Sequence, residues 1–255
     1  MPMSASGRAR PEAAPRPLAV RALRRLWHIL VEAPWRLAVD APYREVRRLD
    51  RHPPAGAFQP SNDTSADRYP RIFRFLQAEL GAETPARILS FGCSTGEEVF
   101  TLRRYFPHAT LKGIDINRAN IALCRKRLAE SGDRAISFEV GHATAAEASG
   151  GYDAILCMAV LRHGALGLPG VARSDPLMRF EDFARAIEDF RRCLKPGGLL
   201  AIRHSNFRLA DAPAGVDFET VLRVETGPGT PIFGPDNRLV PGALYPDAVF
   251  RKRRA

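Results

Sequence analysis

The chain has 255 residues, enough for one sizeable domain with an extension and short for two full domains. Its 38 Lys+Arg exceed its 28 Asp+Glu by ten, but the excess is peripheral. Residues 1–52 carry +6 and Arg251–Arg254 adds +4, while the stretch between them balances 23 bases against 23 acids. That distribution excludes a globally basic domain wrapped around nucleic acid. The four cysteines, Cys93, Cys124, Cys157 and Cys193, lie more than thirty residues apart with no CxxC. Neither a metal site nor a disulfide scaffold is expected, and a reducing, cytoplasmic location is.

Residues 1–17 are rich in Pro, Ala and Arg, lack the apolar core of a secretory signal and are predicted to form a disordered tail. Residues 18–56 read as a basic amphipathic helical extension and linker. Val20, Leu23, Leu26, Trp27 and Leu30 recur at spacings of three and four, with Arg21, Arg24 and Arg25 between them. Pro34 is expected to end or kink that helix, and a second helical piece runs from about Pro42 to Leu49. No apolar run reaches transmembrane length. Two roles fit this arm: contact with an anionic membrane or an acidic partner, with Trp27 and Trp35 as interfacial anchors, or packing against the following domain.

Residues 57–255 are predicted to form one α/β domain: a Rossmann-like, mostly parallel, seven-stranded sheet with helices on both faces. Its helices are expected at Asp67–Leu80, from Gly96 to Pro107, from Asn117 onward and at Pro176–Leu194. The strands are expected at Arg87–Phe91, Thr110–Ile114, Ala135–Val140, Tyr152–Leu161 and Leu199–Arg203. Phe218–Val224 and Ala248–Arg251 close it as an antiparallel pair. Strand–helix alternation with short connections implies a parallel sheet, whose ligands gather at the carboxyl ends of the strands.

The first strand runs into Gly92-Cys93-Ser94-Thr95-Gly96-Glu97-Glu98. Gly92 permits a tight turn and Gly96 a close strand–helix approach, while Ser94 and Glu97 fit a capping box. The second strand ends at Asp115, 23 residues past Gly92, placed to accept hydrogen bonds from both hydroxyls of a ribose. Asn117 is the better cap for the next helix. A dinucleotide fingerprint would need glycine at 94 and 97, and two acids at the helix start repel a pyrophosphate. No phosphate loop is present. A nucleoside carrying a cation instead of phosphates suits this turn.

In these features the chain resembles the class I S-adenosylmethionine-dependent methyltransferases over about Asp67 to Lys252. The motifs, in order, are the Gly92-x-Ser94-x-Gly96 loop, Asp115, Tyr152-Asp153-Ala154-Ile155 and Leu194-Lys195-Pro196-Gly197-Gly198-Leu199-Leu200. The resemblance implies S-adenosylmethionine as cofactor, bound by Tyr69, Ser90, Gly92, Cys93, Ser94, Gly96, Glu97, Asp115, Ile116, His142, Ala143 and Met158. Arg68 is a second candidate for the methionine carboxylate. The chain departs from the family at Ser90, where an acid is usual, and at Ser94, where glycine is usual; Glu97 or Glu98 is placed to compensate for the first.

Cys93–Glu98 is similar to the glycine loop of chemotaxis-receptor glutamate methyltransferases, yet the Arg-Asn pair those enzymes carry is missing after Cys157. Met158–His163 instead resembles small-molecule methyltransferases. The leading expectation is methyl transfer to a small-molecule or lipid-like acceptor. Protein carboxyl methylation and a non-catalytic S-adenosylmethionine-binding module are the alternatives. Transfer from a sulfonium needs alignment above all, and a base only for acceptors that must lose a proton. His163 and His204, after strands four and five, are the candidate base or acceptor-orienting groups. Phe207, Arg208 and the polar Asp236-Asn237-Arg238 are candidates for the acceptor side; each also reads as an ordinary loop.

Overall fold

The computed structural model describes residues 27–59, 64–225 and 230–254. The predicted tail and the first part of the basic helix, to Leu26, lie outside the described residues. The chain divides into two compact units between Arg44 and Glu45. In the first, a π-helical turn at His28–Glu32 leads into helix α1, Ala33–Val39. Pro34 sits in the opening turn of α1 and does not end a helix there, because a first-turn residue needs no intrahelical N–H partner. Helix α2, Ala41–Arg51, follows.

In the second unit, helix α3 (Pro70–Leu80), β1 (Arg87–Phe91), helix α4 (Glu97–Tyr105), β2 (Thr110–Asp115) and helix α5 (Arg118–Ser131) alternate before β3 (Ile136–Val140) and β4 (Tyr152–Met158). Helix α6 (Phe180–Cys193) and β5 (Leu194–Arg203) precede the pair β6 (Phe218–Arg223) and β7 (Asp247–Lys252). The seven strands are ordered β3-β2-β1-β4-β5-β7-β6. Strands β1 to β5 pair in parallel, and β7 runs antiparallel between β5 and β6. The mostly parallel seven-stranded sheet is therefore as expected.

Period-two alternation of strand side chains builds two cores. Leu89, Ile155, Leu200 and Ile202 join Phe183, Ile187 and Phe190 of α6. Ile88, Ala154, Leu156 and Ala201 join α3, α4 and α5 through Phe73, Leu76, Val99, Leu102 and Ile121. Each helix covers the sheet with an apolar stripe, so both faces are buried. The chain order reverses between β1 and β4, which opens a crevice at their carboxyl ends.

Helix α3 starts at Pro70 and not at Asp67, which sits outside it at φ +50° with Tyr69 in the cap position, and three further boundaries differ from expectation for local reasons. Strand β4 stops at Met158, not Leu161, because Ala159 adopts φ +60°, the left-handed region that breaks an extended run. The ladder of β5 begins at Leu194, yet the partner of β4 jumps from Leu194 opposite Tyr152 to Leu199 opposite Ala154. The Lys195-Pro-Gly-Gly turn is thus a bulge inside the strand, with Lys195 Nζ on Asp153 at 2.7 Å. Helix α6 begins at Phe180, four residues after the expected Pro176. No side chain of Arg179 caps it; Asn237, from the distant 225–247 loop, accepts the Phe180 N–H at 2.7 Å. Asn237 is therefore a buried clamp and not part of a polar loop tip.

Candidate cofactor cleft and its neighbouring cavity

The turn after β1 is fixed by backbone donors. Gly92 N and Cys93 N both donate to Ile114 O of β2, at 2.7 and 3.0 Å. Gly92 has φ +77°, and a Cβ there would lie 2.2 Å from Val160 Cγ2, so only glycine fits. Ser94 takes φ +50° at the position where glycine is usual in the family. Its N–H donates to Asp115 Oδ2 at 2.7 Å, which offsets the strain of a left-handed serine.

The capping box expected of Ser94 and Glu97 does not form. Gly96 occupies the cap position of α4 in the left-handed conformation, and no side chain caps the helix. Glu97 turns outward to Arg127, at 2.6 Å, whose guanidinium lies over the Phe100 ring. One residue on, a 100° step around the helix brings Glu98 to the cleft wall. Ser90 Oγ donates to Glu98 Oε1 at 2.8 Å, so the serine that replaces the usual acid holds an acid from the helix. Burial pushes the Glu98 carboxyl up to about 7, against the downward pull of the Ser90 hydrogen bond and the Arg68 charge.

Asp115 closes the other side. Its Oδ1 accepts from Asn117 N at 2.8 Å and from Asn120 Nδ2 at 3.3 Å. Burial raises its carboxyl, and the Asn117 and Ser94 N–H groups counter that rise. Asn117 caps α5 by accepting from Ala119 N and Asn120 N, as the sequence indicates. Cys93 is buried and its thiol is raised well above the ordinary value by its hydrogen bond with Cys124 and by burial, so it stays protonated.

These groups line one cleft that is open to solvent. Of the residues singled out in sequence, Tyr69, Gly92, Cys93, Ser94, Asp115, Ile116, His142 and Met158 meet there. Ser90, Gly96, Glu97 and Ala143 do not line it. Glu98, Arg68 and a covering segment with Phe58, Gln59, Thr64 and Ser65 do. The Gln59 side-chain amide ties that segment to the Ala159 carbonyl at the end of β4. Glu98 was legible as the second acid of the loop; Phe58–Ser65 carries no motif that marks it.

S-adenosylmethionine, the group implied by the resemblance, fits this cleft on three observations. The Tyr69 hydroxyl is buried with no hydrogen-bond partner among the described residues, and faces a ligand space. Gly92 leaves a cradle that any Cβ would fill. The donor set couples an acid at a ribose-binding position, Asp115, with a second acid, Glu98, suited to an ammonium, and has no phosphate-binding element.

Neither histidine lines this cleft. His163 accepts from Ala165 N through Nδ1 at 3.3 Å, capping a 3₁₀ turn, and its own N–H donates to Asn206 Oδ1 at 2.8 Å. Burial lowers its basicity, opposed by Asp50. His204 lies at the end of β5 with φ +54° and sets its ring 6.0 Å from that of Tyr69. It lines a second cavity, of about 500 Å³ and partly open to solvent. Tyr69 and His204 therefore stand between cleft and cavity. Burial first, then Arg203, Arg162 and Arg68, push the His204 imidazole down to about 4. Phe207 is buried in an aromatic cluster with Phe180, Phe183 and Phe233 and serves the core.

Among the described residues no cluster of His, Cys, Asp or Glu could hold a metal ion, and no helix is long and apolar enough to cross a membrane.

Residues 83–222, more than half of the chain, match the family model of a methyltransferase domain. The trans-aconitate 2-methyltransferase of Deinococcus radiodurans is 31% identical over 163 residues, covering 62% of this chain and 54% of that protein. The 4-amino-L-phenylalanine/4-methylamino-L-phenylalanine methyltransferase of Streptomyces pristinaespiralis is 28% identical over 206 residues, covering 74% and 68%. Among solved structures, an S-adenosylmethionine-bound amino pentose methyltransferase from Micromonospora echinaspora aligns with TM-score 0.40 and 22% identity, covering 55% of this chain and 50% of that one. The chain spans about half the length of the first of these relatives. The match to the family model runs from just before β1 to β6 and takes in the glycine turn, Asp115 and Glu98, and the chain belongs to the methyltransferase-domain family, whose cofactor is S-adenosylmethionine.

Proposed function

We propose that this chain transfers the methyl group of S-adenosylmethionine to a small-molecule acceptor. The observation that carries the reading is the convergence of the Gly92 turn, the Asp115 carboxylate and the Ser90-held Glu98 carboxylate on one cleft at the sheet's switch point. Both curated relatives are named for small acceptors, one a tricarboxylic acid and the other an aromatic amino acid.

When bound, S-adenosylmethionine supplies a methyl carbon made electrophilic by a sulfonium. This chain's residues bind and orient it. Asp115 accepts from ribose hydroxyls with the lone pairs its backbone donors leave free. Glu98 accepts from the α-ammonium, and Arg68 attracts the carboxylate. Tyr69 offers its hydroxyl, which has no hydrogen-bond partner among the described residues. Ile116, His142 and Met158 wall the nucleoside, and Phe58–Gln59 covers it against water. His204, held neutral by burial and then by its cationic neighbours, orients the acceptor and is too weak a base to remove a proton from an alcohol or an ammonium ion. His163 serves the fold of the loop after β4.

Incubating the protein with methyl-tritiated S-adenosylmethionine and a cell extract, then separating small molecules, lipids and protein, tests the reading. Label in the small-molecule fraction is expected. Label in lipid alone would favour the lipid-like acceptor, and label in protein alone would sink the small-molecule assignment.

A second proposal concerns the first unit. Trp27 and Trp35 are 60% and 63% exposed, and Leu30 and Val39 are exposed beside them, a pattern suited to the interface of an anionic membrane. Co-sedimentation with anionic vesicles at low salt, with and without residues 1–44, tests it; equal binding by both chains removes the idea.

A further inference from the structure

The second cavity is bounded by three segments: the loop after β4, the end of β5, and residues 230–247. Asn206, buried, fastens all three. Its N–H donates to Leu161 O at 2.9 Å, its Oδ1 accepts from His163 N, and its Nδ2 donates to Pro231 O at 2.7 Å. Tyr245 adds a fourth tie by accepting the Leu209 N–H at 2.8 Å. The cavity is therefore a built space and not a gap between loose loops. Its walls are mainly apolar, from Leu166, Val171, Ile202, Ile232 and Leu239.

The exception is its charge. Arg203 lines the cavity and is buried, and among the described residues its side chain makes one hydrogen bond, from Nη2 to the Glu225 carbonyl at 2.7 Å. Arg162, in the loop after β4 and outside the cavity lining, has its Nε buried with no hydrogen-bond partner among the described residues, and its charge reaches His204 at the cavity wall. Neither guanidinium forms an ion pair with a described acid. Asp247, also at the cavity, is engaged by Arg223 at 2.8 Å. A buried cation without a counter-ion is costly, and the cost is recovered if a ligand brings the anion. Guanidinium prefers carboxylate geometry, which it meets with paired N–H donors. The ring pair Tyr69–His204 places this cavity directly beside the cofactor cleft.

We propose that this cavity is the acceptor site and takes a small carboxylate with an apolar body, its carboxylate held by Arg203 with Arg162 adding charge and its body among the aliphatic walls. The acceptor role rests on the methyl-transfer reading above; the binding of an apolar acid does not.

The test is calorimetry on the full chain with 4-phenylbutanoate as the probe, alongside 4-phenylbutanamide and 4-phenylbutan-1-ol, each with and without saturating S-adenosylhomocysteine. The acid is expected to bind at least tenfold more tightly than the amide and the alcohol. Arg203→Gln should remove that preference while the affinity for S-adenosylhomocysteine stays within twofold. Arg203→Lys should keep part of it. Leu168, 62% exposed on the cavity rim, gives a variant that leaves the core untouched, and Leu168→Asp should weaken the acid at least fivefold and the amide little. Equal binding of acid and amide, or acid binding unchanged in both Arg203→Gln and Leu168→Asp, overturns the proposal. If S-adenosylhomocysteine fails to bind while the acid binds through Arg203, the methyl-transfer reading fails and the carboxylate site stands.

Discussion

The cofactor cleft and the second cavity sit side by side at the same edge of the sheet, yet they are built in opposite ways. The cleft comes chiefly from tight turns after consecutive strands. Gly92, Ser94, Glu98 and Asp115 lie within 24 residues of one another, and its acids face inward. The cavity is assembled from three segments spread between Leu166 and Asp247 and is locked by buried amides, Asn206 and Asn237, and its unpaired charge is cationic. Local chemistry fixes the acidic side, whereas long-range packing fixes the basic one. A cationic nucleoside on one side and an anionic acceptor on the other is the division of labour that follows.

The largest effects are expected where the cleft has no slack. Gly92→Val would force a Cβ and two methyls into Val160 at a left-handed φ. Loss of S-adenosylhomocysteine binding is expected, with a fall in melting temperature of several degrees; unchanged calorimetry would show that the turn does not cradle the cofactor.

Next, Glu98→Gln should weaken S-adenosylmethionine about tenfold, the size of one charge-assisted hydrogen bond. Glu98 also sets a pH dependence. With its carboxyl at about 7 in the folded protein against a usual 4.5, the native state holds a proton that the unfolded chain has released. Its contribution to stability is present below about 4.5 and is lost as pH rises through about 7. Binding of the cofactor's ammonium runs the other way and should strengthen from pH 6 to pH 8. Melting and titration series at both pH values should show opposite slopes in the wild type and flat ones in Glu98→Gln.

Tyr69→Phe removes a buried hydroxyl that has no partner among the described residues. The free protein should be unchanged or slightly more stable, and the cofactor weaker by a few-fold, on the order of one hydrogen bond. A marked loss of stability would mean that the hydroxyl serves the fold. On the cavity side, Asn237→Ala should cost about 1–2 kcal/mol through the lost cap of α6, seen as a lower denaturant midpoint with cofactor affinity intact. The smallest effect is expected for His163→Ala, which loses one long 3₁₀-turn hydrogen bond; a large fall in turnover with normal cofactor binding would restore it as a catalytic group.

The same contrast explains what the sequence made legible. The seven-stranded sheet and its helices follow from apolar periodicity, and the Gly92 turn, Asp115 and the Asn117 cap from short spacings that any fold must honour locally. The capping box did not follow, because Ser94 is held by Asp115 and Gly96 takes the cap, a competition between two neighbours that a motif does not resolve. That an acid of the loop could stand in for the one missing at Ser90 was legible, but which of Glu97 and Glu98 does so, and that Ser90 itself holds it, became visible only with α4 in place. Asn206 carried no signal, and Asn237 read as part of a polar loop and not as a helix cap, as their partners lie tens of residues away. Arg162 and Arg203 were two among 34 arginines until the fold buried the Arg203 side chain and the Arg162 Nε without a described counter-ion.

The most direct measurement of the central claim is a titration of S-adenosylhomocysteine into the full chain and into Asp115→Asn, with circular dichroism to establish that both are folded. One site per chain is expected in the wild type, weakened about hundredfold in Asp115→Asn through loss of charged ribose contacts. No binding by the wild type, or equal affinity in a folded Asp115→Asn, would contradict it.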